Sequence, residues 1–166
     1  MAEALLITRQ DIVKFTSLNG NVDVDNFIQY IKIAQDTDLQ NFTGTQLLNK
    51  IKADIVANTL TGNYLTLTTT YLKPMLIHLA MKYYLPFAAY TISNKGVYKH
   101  NSENSTTADK NEIDFLIEKE TQIAQHYTQR FIDYITLNTS LFPEYSTNSN
   151  SDMFPDTNNN YTGWYI

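Results

Sequence analysis

The chain has 166 residues, of which 43% are hydrophobic and 17% are charged, and its formal net charge is -5. This composition excludes a disordered protein and fits one domain that can bury a sizeable core. The lack of cysteine excludes disulfides and thiolate metal sites, and the negative net charge argues against gripping nucleic acid through its phosphates.

Three helices are predicted in the first third of the chain. The segment TRQDIVKFT has Thr8 as its N-cap and Asp11 three residues later, which predicts a capping box. A second helix is predicted to begin after Asp25, because its apolar residues repeat at helical spacing, and the DTD motif is predicted to interrupt its last turn. Thr43-Gly44-Thr45 restarts the chain, and a third helix follows that is predicted to end near Asn58 to Gly62.

The stretch YLTLTTTYLKPMLIHLAMKYYLPFAAYTIS predicts a central helix. Apolar residues occupy nearly all of its sides, and Phe87 and Tyr90 are assigned to its core face. Pro74 suits an early helical position, whereas Pro86 is predicted to kink the helix. His78 is interpreted as a core residue bonded to a backbone carbonyl, and a buried polar pair with Lys82 is the alternative.

A polar loop or hairpin from Ser93 to Ala108 follows, and then a long last helix that begins at a second predicted capping box, Asp109 with Glu112. Its carboxylates, including Glu120, are predicted to face solvent. The predicted fold is an all-α helical bundle with two long helices, a protruding loop or hairpin and an extended C-terminal arm. The apolar face predicted for the last helix consists of Ile113, Leu116, Ile117, Ile123, Ala124, Tyr127, Phe131, Tyr134 and Ile135.

The C-terminal segment FPEYSTNSNSDMFPDTNNNYTGWYI is polar in its middle and aromatic at its end. Each large ring left in water exposes about 150 to 250 Å² of mostly apolar surface, which a solvated tail does not need. We therefore predict a helical domain over residues 1–142 and a docking arm over residues 143–166, with a tail folded back on its own bundle as the alternative. The predicted partner-binding residues of the arm are Tyr145, Phe154, Tyr161, Trp164, Tyr165 and Ile166.

The residues do not form a recognisable catalytic or cofactor site. None of the three histidines lies within one helical turn of another, and the five glycines form no phosphate-binding loop. The sequence therefore predicts no enzyme activity, no cofactor and no metal. The N-terminus lacks the basic and apolar regions of a secretory signal and no stretch is a good membrane span, so neither export nor a membrane is expected.

A resemblance to a known family is carried by three segments: the helix YLKPMLIHLAMKYYLPFAAYTISNKGV, the polar loop HNSENST and the FPEY exit into a low-complexity arm. Over about residues 5–145, the chain resembles the head-to-tail connector (adaptor or ring) proteins of tailed bacteriophages, most of all those of crAss-like and other Bacteroidetes phages. The resemblance implies a ring of twelve copies beneath the portal protein, with C-terminal arms docked on the portal. DNA would pass through the lumen without sequence-specific binding.

The implied location is the virion neck, assembled in the bacterial host cytoplasm, with the portal and further ring or tail proteins as partners. A weakly charged, Tyr-rich surface suits contacts between subunits of the homo-oligomer, and the net charge of -5 suits a lumen that repels phosphate. The loop predicted to make assembly contacts carries Tyr98, His100 and Glu103. The alternative function is a small phage-encoded regulatory binding module that captures a host protein through its aromatic tail.

Overall fold

A computed structural model of the chain describes residues 4–18, 24–88, 90–93, 96–99, 108–147 and 152–158. Two strands, β1 (Tyr90–Ser93) and β2 (Gly96–Lys99), pair antiparallel as a hairpin near the start of the predicted polar connection. The remaining elements are helical, which confirms the all-α fold class. In chain order the α-helices are α1 (Arg9–Phe15), α2 (Val24–Ala34), α3 (Gln40–Ala57), α4 (Gly62–Thr66), α5 (Lys73–Tyr84), α6 (Lys110–Leu137) and α7 (Pro143–Ser146).

Side-chain caps start α1 and α6 where the sequence predicts them. The Thr8 N–H donates to the Asp11 carboxylate at 2.8 Å, and the Asp11 N–H donates back to the Thr8 hydroxyl. Asp109 and Glu112 make the same reciprocal pair, with both distances at 2.9 Å. Each pair satisfies N–H groups that have no acceptor within the helix. Both predicted capping boxes are confirmed.

Two π-helical segments join consecutive α-helices. Gln35–Leu39 links α2 to α3, and Leu67–Leu72 links α4 to α5. In the second segment the Lys73 N–H donates to the carbonyl of Thr68, five residues back. This wider turn lies directly before Pro74. The series of helical hydrogen bonds has to be interrupted there, because proline has no N–H to donate. The DTD motif likewise falls in a π-helical turn, and the chain stays helical through it.

Pro86 does not kink the central helix. Helix α5 ends at Tyr84, and Leu85–Phe87 form a single 3-10 turn, so Pro86 lies beyond the last α-helical residue. The predicted kink is therefore wrong, because the α-helix ends before the missing N–H would break its hydrogen bonds. Phe87 and Tyr90, which were assigned to the core face, are 50% and 45% exposed.

The core is built around α5, the π-helical segment before it, and α6. The Tyr71 ring stacks on Tyr134 with 4.2 Å between the ring centroids. Further along, His78 contacts Glu120, so rising residue numbers in one helix meet falling numbers in the other and the pair is antiparallel. Helices α1 and α2 pack on α5, and α3 packs on α7 and on the first π-helical segment. The fully buried apolar side chains of the core include Leu72, Met75, Leu76, Leu79, Ala124, Phe131 and Ile135.

Only the second half of α6 buries the predicted apolar face. Ala124, Phe131 and Ile135 are fully buried, whereas Leu116 and Ile123, assigned to the same face, are 45% and 40% exposed. At about 100° of rotation per residue, Leu116 and Ile123 share one side of the helix, roughly a quarter turn from the buried side. The predicted face is therefore wrong for Leu116 and Ile123, whereas Ile113 and Ile117 of the same half are half-buried. Among the described residues, no helix is both long and apolar enough to span a membrane.

Candidate partner-binding site

Two of the six residues predicted to bind a partner lie within the described structure, namely Tyr145 and Phe154. In the predicted assembly loop, Tyr98 lies in strand β2 opposite Thr91 of strand β1. The roles predicted for the other residues stay predictions. The predicted site residues that lie outside the described ranges are His100, Glu103, Tyr161, Trp164, Tyr165 and Ile166.

A kink at Gly44 interrupts helix α3. Gly44 has φ of 73° and ψ of 160°, a backbone conformation that residues with a side chain rarely adopt. The kink turns the Thr45 N–H away from the carbonyl of Asn41, which would accept its hydrogen bond in a regular α-helix. Both backbone groups therefore need partners from another part of the chain.

Residues 152–158, here called the C-terminal strap, supply both partners. The Thr45 N–H donates to the carbonyl of Met153 at 3.2 Å. The Asp156 N–H donates to the carbonyl of Asn41 at 2.8 Å. The Thr45 hydroxyl also accepts a hydrogen bond from the Met153 N–H at 3.2 Å. The strap thus replaces the helical hydrogen bond that the kink removes.

Pro155 occupies the space that a side chain at Gly44 would need. A Cβ placed on Gly44 would lie 2.9 Å from both Cγ and Cδ of Pro155, and 3.3 Å from the carbonyl oxygen of Met153. At the start of the strap, the Thr45 hydroxyl donates to the carboxylate of Asp152. Glycine is therefore required here both by its own backbone and by the proline that packs on it.

The segment before the strap is also part of the bundle. The fully buried Phe142 ring meets the rings of Tyr64 and Tyr134, with centroid distances of 5.4 and 6.1 Å. Glu144 in α7 accepts a hydrogen bond from the Tyr64 hydroxyl at 2.6 Å. The described part of the predicted arm, including the strap, therefore packs against its own chain rather than extending away from it.

Tyr145 is buried in this bundle, so its predicted role as an anchor on another subunit is wrong. Its side chain is 9% exposed, and its ring meets Phe131 edge-on at a centroid distance of 6.3 Å. The single helical turn that begins at Pro143 directs the ring back towards α6. Burial raises the pKa of the Tyr145 hydroxyl, and the negative charge of Asp156 raises it further. Within the described structure, this buried hydroxyl has no hydrogen-bond partner.

Phe154 is held at the surface by the strap. Its neighbours Met153 and Pro155 are half-buried against the kink of α3, whereas Phe154 is 68% exposed. In an extended chain, alternate side chains point to opposite sides, so anchoring the two neighbours directs the Phe154 ring outward. Because the residues on both sides are held, Phe154 loses less backbone conformational entropy on contact with a partner than a residue of a free tail would.

His78 pairs with Glu120, so neither arrangement predicted for this histidine is correct. The Nδ1 atom of His78 lies 2.7 Å from a carboxylate oxygen of Glu120, and the imidazole stacks parallel to the Tyr127 ring with 5.7 Å between centroids. Lys82 pairs with Asp38 instead, at 3.3 Å. Glu120 is thus not a solvent-facing carboxylate. Throughout the described ranges, no group of three or more His, Asp or Glu side chains could hold a metal ion.

A family model matches residues 39–155, which is more than two thirds of the chain, and its description is a family of unknown function, DUF6712. The chain belongs to the DUF6712 family. The matched region of the DUF6712 model begins at the end of the first π-helical segment and ends at Pro155. It therefore includes both the Gly44 kink and the part of the strap that packs on it. No curated protein and no solved structure matches the chain.

The DUF6712 region also contains a surface that sequence reasoning missed. Phe115 is 56% exposed and lies beside the exposed Leu116 and Ile123 on the first half of α6. We call these three residues the exposed α6 patch. The signal that could have revealed it is the offset between two pairs of the same seven-residue spacing, because Leu116 with Ile123 lies about a quarter turn around the helix from Ala124 with Phe131. The exposed carboxylates of Asp114 and Glu118 are not part of this patch, because at about 100° of rotation per residue they lie on the opposite side of α6 from Leu116 and Ile123.

Proposed function

We propose that this DUF6712 protein is a non-enzymatic structural protein of a tailed-bacteriophage virion. It forms a ring beneath the portal, joins the capsid to the tail and lets DNA pass through its lumen. The observation that carries the proposal is the exposed α6 patch, where Phe115, Leu116 and Ile123 stay exposed on a helix that buries Ala124, Phe131 and Ile135. Exposed apolar side chains grouped on one stretch of a helix mark a protein-binding surface.

The strap adds a second contact that suits an assembled ring. Phe154 is presented outward by two anchored neighbours, which suits a fixed contact with the portal or an adjacent ring. The aromatic residues that follow the strap in sequence extend this contact. The bacteriophage setting, the ring and the twelve-fold stoichiometry come from the resemblance carried by the central helix, the polar loop and the FPEY segment. The net charge of -5 supports a lumen that DNA traverses without binding.

The test is to incubate the purified chain with the cognate portal protein and to measure the product by light scattering and electron microscopy. We expect a ring of this chain, stoichiometric with the portal, at one end of the portal assembly. A variant truncated after Asn158 keeps the strap and removes the last aromatic residues, and we expect it to melt like the full chain but to lose portal binding. A full-length chain that ignores the portal would contradict the proposal and favour a regulatory binding module.

A further inference from the structure

We infer that the β1–β2 hairpins of neighbouring copies of this chain pair edge to edge. Strand β2 of one copy lies antiparallel to β1 of the next, and repetition of this contact closes a belt of strands around the ring. The inference rests on the proposed function and deepens it, because it names the backbone contact that joins neighbouring subunits. It is carried by the open edges of the hairpin, by its separation from the helical bundle and by the exposed rings at its base.

The hairpin has two open edges. Strands β1 and β2 form a two-stranded sheet, and within the described residues no third strand pairs with either of them. Ser93 lies opposite Gly96, which leaves a two-residue turn, and Ile92 lies opposite Val97. In such a hairpin the pair next to the turn exchanges hydrogen bonds, and the following pair directs its N–H and C=O groups outward. The backbone of Ile92 is therefore available for pairing on one edge and that of Val97 on the other.

The hairpin receives little support from its own bundle. Its strands contact each other, and neither makes an extensive contact with a helix in the described part of the chain. A two-stranded hairpin alone is only marginally stable in water, and further strands or a packed helix are needed to stabilise it. Open strand edges also pair readily with strands of other chains. A strand of another copy on each edge would therefore stabilise the hairpin and cover both edges.

The base of the hairpin carries exposed aromatic rings. Phe87, which precedes β1 in the chain, is 50% exposed, and Tyr90, the first residue of β1, is 45% exposed. The Phe87 ring stacks on the buried Tyr30 ring with 5.8 Å between the centroids, so it is held in place while half of it stays in solvent. Exposed apolar rings close together in the chain mark a protein contact. This second observation indicates, independently of the strand edges, that the hairpin lies at an interface.

The geometry of a ring selects the hairpin of a second copy as the occupant. Rotation about the ring axis gives every hairpin the same orientation and level, and β1 and β2 run in opposite directions, so β2 of one copy lies antiparallel to β1 of the next. This contact joins two different edges and leaves none open when the ring closes. An unrelated strand would cover one edge only. Two-fold pairing of β1 with β1 would leave both β2 edges open.

The size of the belt is compatible with a lumen for DNA. Adjacent strands lie about 4.8 Å apart, so two strands from each of the twelve copies of the proposed ring give a belt about 115 Å around and about 37 Å across at the backbone, and tilted strands widen it. This diameter exceeds the width of a DNA duplex. Barrels with fewer strands already enclose an aqueous channel. Edge-to-edge pairing therefore joins the subunits without closing the lumen.

The first test uses the lack of cysteine in the chain, which leaves no background in disulfide crosslinking. Single variants Ile92→Cys and Val97→Cys, one of them with a size tag, are mixed under oxidising conditions, both at high concentration without the portal and on the portal. Level hairpins place these two residues of neighbouring copies opposite each other, within reach of a disulfide. We expect the mixed disulfide to exceed either self-crosslinked product at least several-fold. Val56→Cys, 59% exposed on α3, is the matched control.

Two further mixtures cover hairpins that are shifted along each other, because equivalent backbone positions recur at every second residue. They are Tyr90→Cys with Val97→Cys, and Ile92→Cys with Lys99→Cys. We expect at least one of the three mixtures to give the mixed product. Crosslinking at high concentration does not depend on the portal, so a chain that forms the mixed disulfide but ignores the portal would contradict the proposed function and leave the hairpin contact standing.

Two crosslinking results would overturn the inference. One is a mixed product no greater than that of the Val56→Cys control in all three mixtures, in the free protein and on the portal, whether or not a ring forms. The other is a predominant self-crosslink of Ile92→Cys or of Val97→Cys, because the contact would then be symmetric and could not close a ring.

The second test measures amide hydrogen exchange in the unaltered chain, which separates backbone pairing from mere proximity. The N–H groups of Ile92 and Val97 should exchange freely in dilute solution and at least tenfold more slowly in the assembled protein. The Thr45 N–H, which donates to Met153 of its own chain, is the internal control and should exchange equally in both. Unslowed exchange at Ile92 and Val97 after assembly would refute the pairing. Protection of both groups already in dilute solution would refute it too, because the chain would then cover its own strand edges.

Discussion

Pro155 packs against the backbone of Gly44 so closely that a Cβ on the glycine would lie 2.9 Å from two atoms of the proline ring. The contact closes the break in helix α3 with a segment from the far end of the chain. Two backbone hydrogen bonds, from Thr45 to Met153 and from Asp156 to Asn41, accompany it. The stability of the kink and the position of the strap therefore depend on each other.

Replacing Gly44 with alanine should lower the free energy of unfolding by more than the cost of the backbone conformation, which is about 1 to 3 kcal/mol. The added Cβ would also force the Pro155 ring to move. Gly62→Ala is the matched control, because Gly62 also has a positive φ, of 57°, but has open space around it. Urea unfolding curves should show the larger loss for Gly44→Ala, and equal losses would contradict the role of the strap.

Truncation after Thr147 removes the strap and should lower the free energy of unfolding by about 1 to 3 kcal/mol, because backbone groups at the kink lose their protein partners. Truncation after Asn158 leaves the strap intact and should leave the melting temperature unchanged. Amide hydrogen exchange supplies a local measurement. The Thr45 N–H, which donates to Met153, should exchange faster only in the shorter variant. Unchanged protection in that variant would show that the strap does not hold the kink.

The free energy of unfolding should fall as the pH rises above about 10. Burial raises the pKa of several tyrosines in the folded chain above their usual value of 10.0. Below that pH both states keep their protons and stability is complete, whereas at higher pH the unfolded state loses protons that the folded state retains. Stability is therefore lost as the pH rises towards the folded-state values. The tyrosines concerned are Tyr30, Tyr64, Tyr83, Tyr84 and Tyr145.

Tyr145→Phe separates titration from packing in this alkaline effect. Among the described residues, the Tyr145 hydroxyl has no hydrogen-bond partner, so its removal should not lower the free energy of unfolding at pH 7. The variant should lose less stability between pH 8 and pH 11 than the parent chain does. Urea unfolding at the two pH values gives both results. An unaltered pH dependence would mean that Tyr145 is not kept protonated in the folded chain.

Leu79→Ala and Phe131→Ala should each lower the free energy of unfolding by about 2 to 5 kcal/mol, because both side chains are fully buried between α5 and α6. Leu116→Ala is the control on the exposed part of α6 and should change it by no more than about 0.5 kcal/mol in the isolated chain. Thermal and urea unfolding measure all three variants. A large loss for Leu116→Ala would place that side chain in the core and remove the basis of the exposed α6 patch.

The helix starts were predictable because their causes are local. Thr8 with Asp11, and Asp109 with Glu112, lie within one turn of each other, so short-range hydrogen bonding determines both caps wherever the helices pack. The break at Gly44 was visible for the same reason, since a glycine between two threonines weakens a helix. The all-α class followed from hydrophobic periodicity, which reports local geometry.

The tertiary structure alone decided which distant groups meet. The pairing of His78 with Glu120 depends on the register between two antiparallel helices, which the spacing within either helix does not determine. The burial of Tyr145 depends on one short helical turn that packs on α6, although the composition around it resembles a free tail. The sequence by itself determined that α3 breaks at Gly44. It did not determine that Met153, Pro155 and Asp156 close that break. Backbone hydrogen bonds and close packing between two segments far apart in the chain leave no periodic pattern in the sequence of either segment.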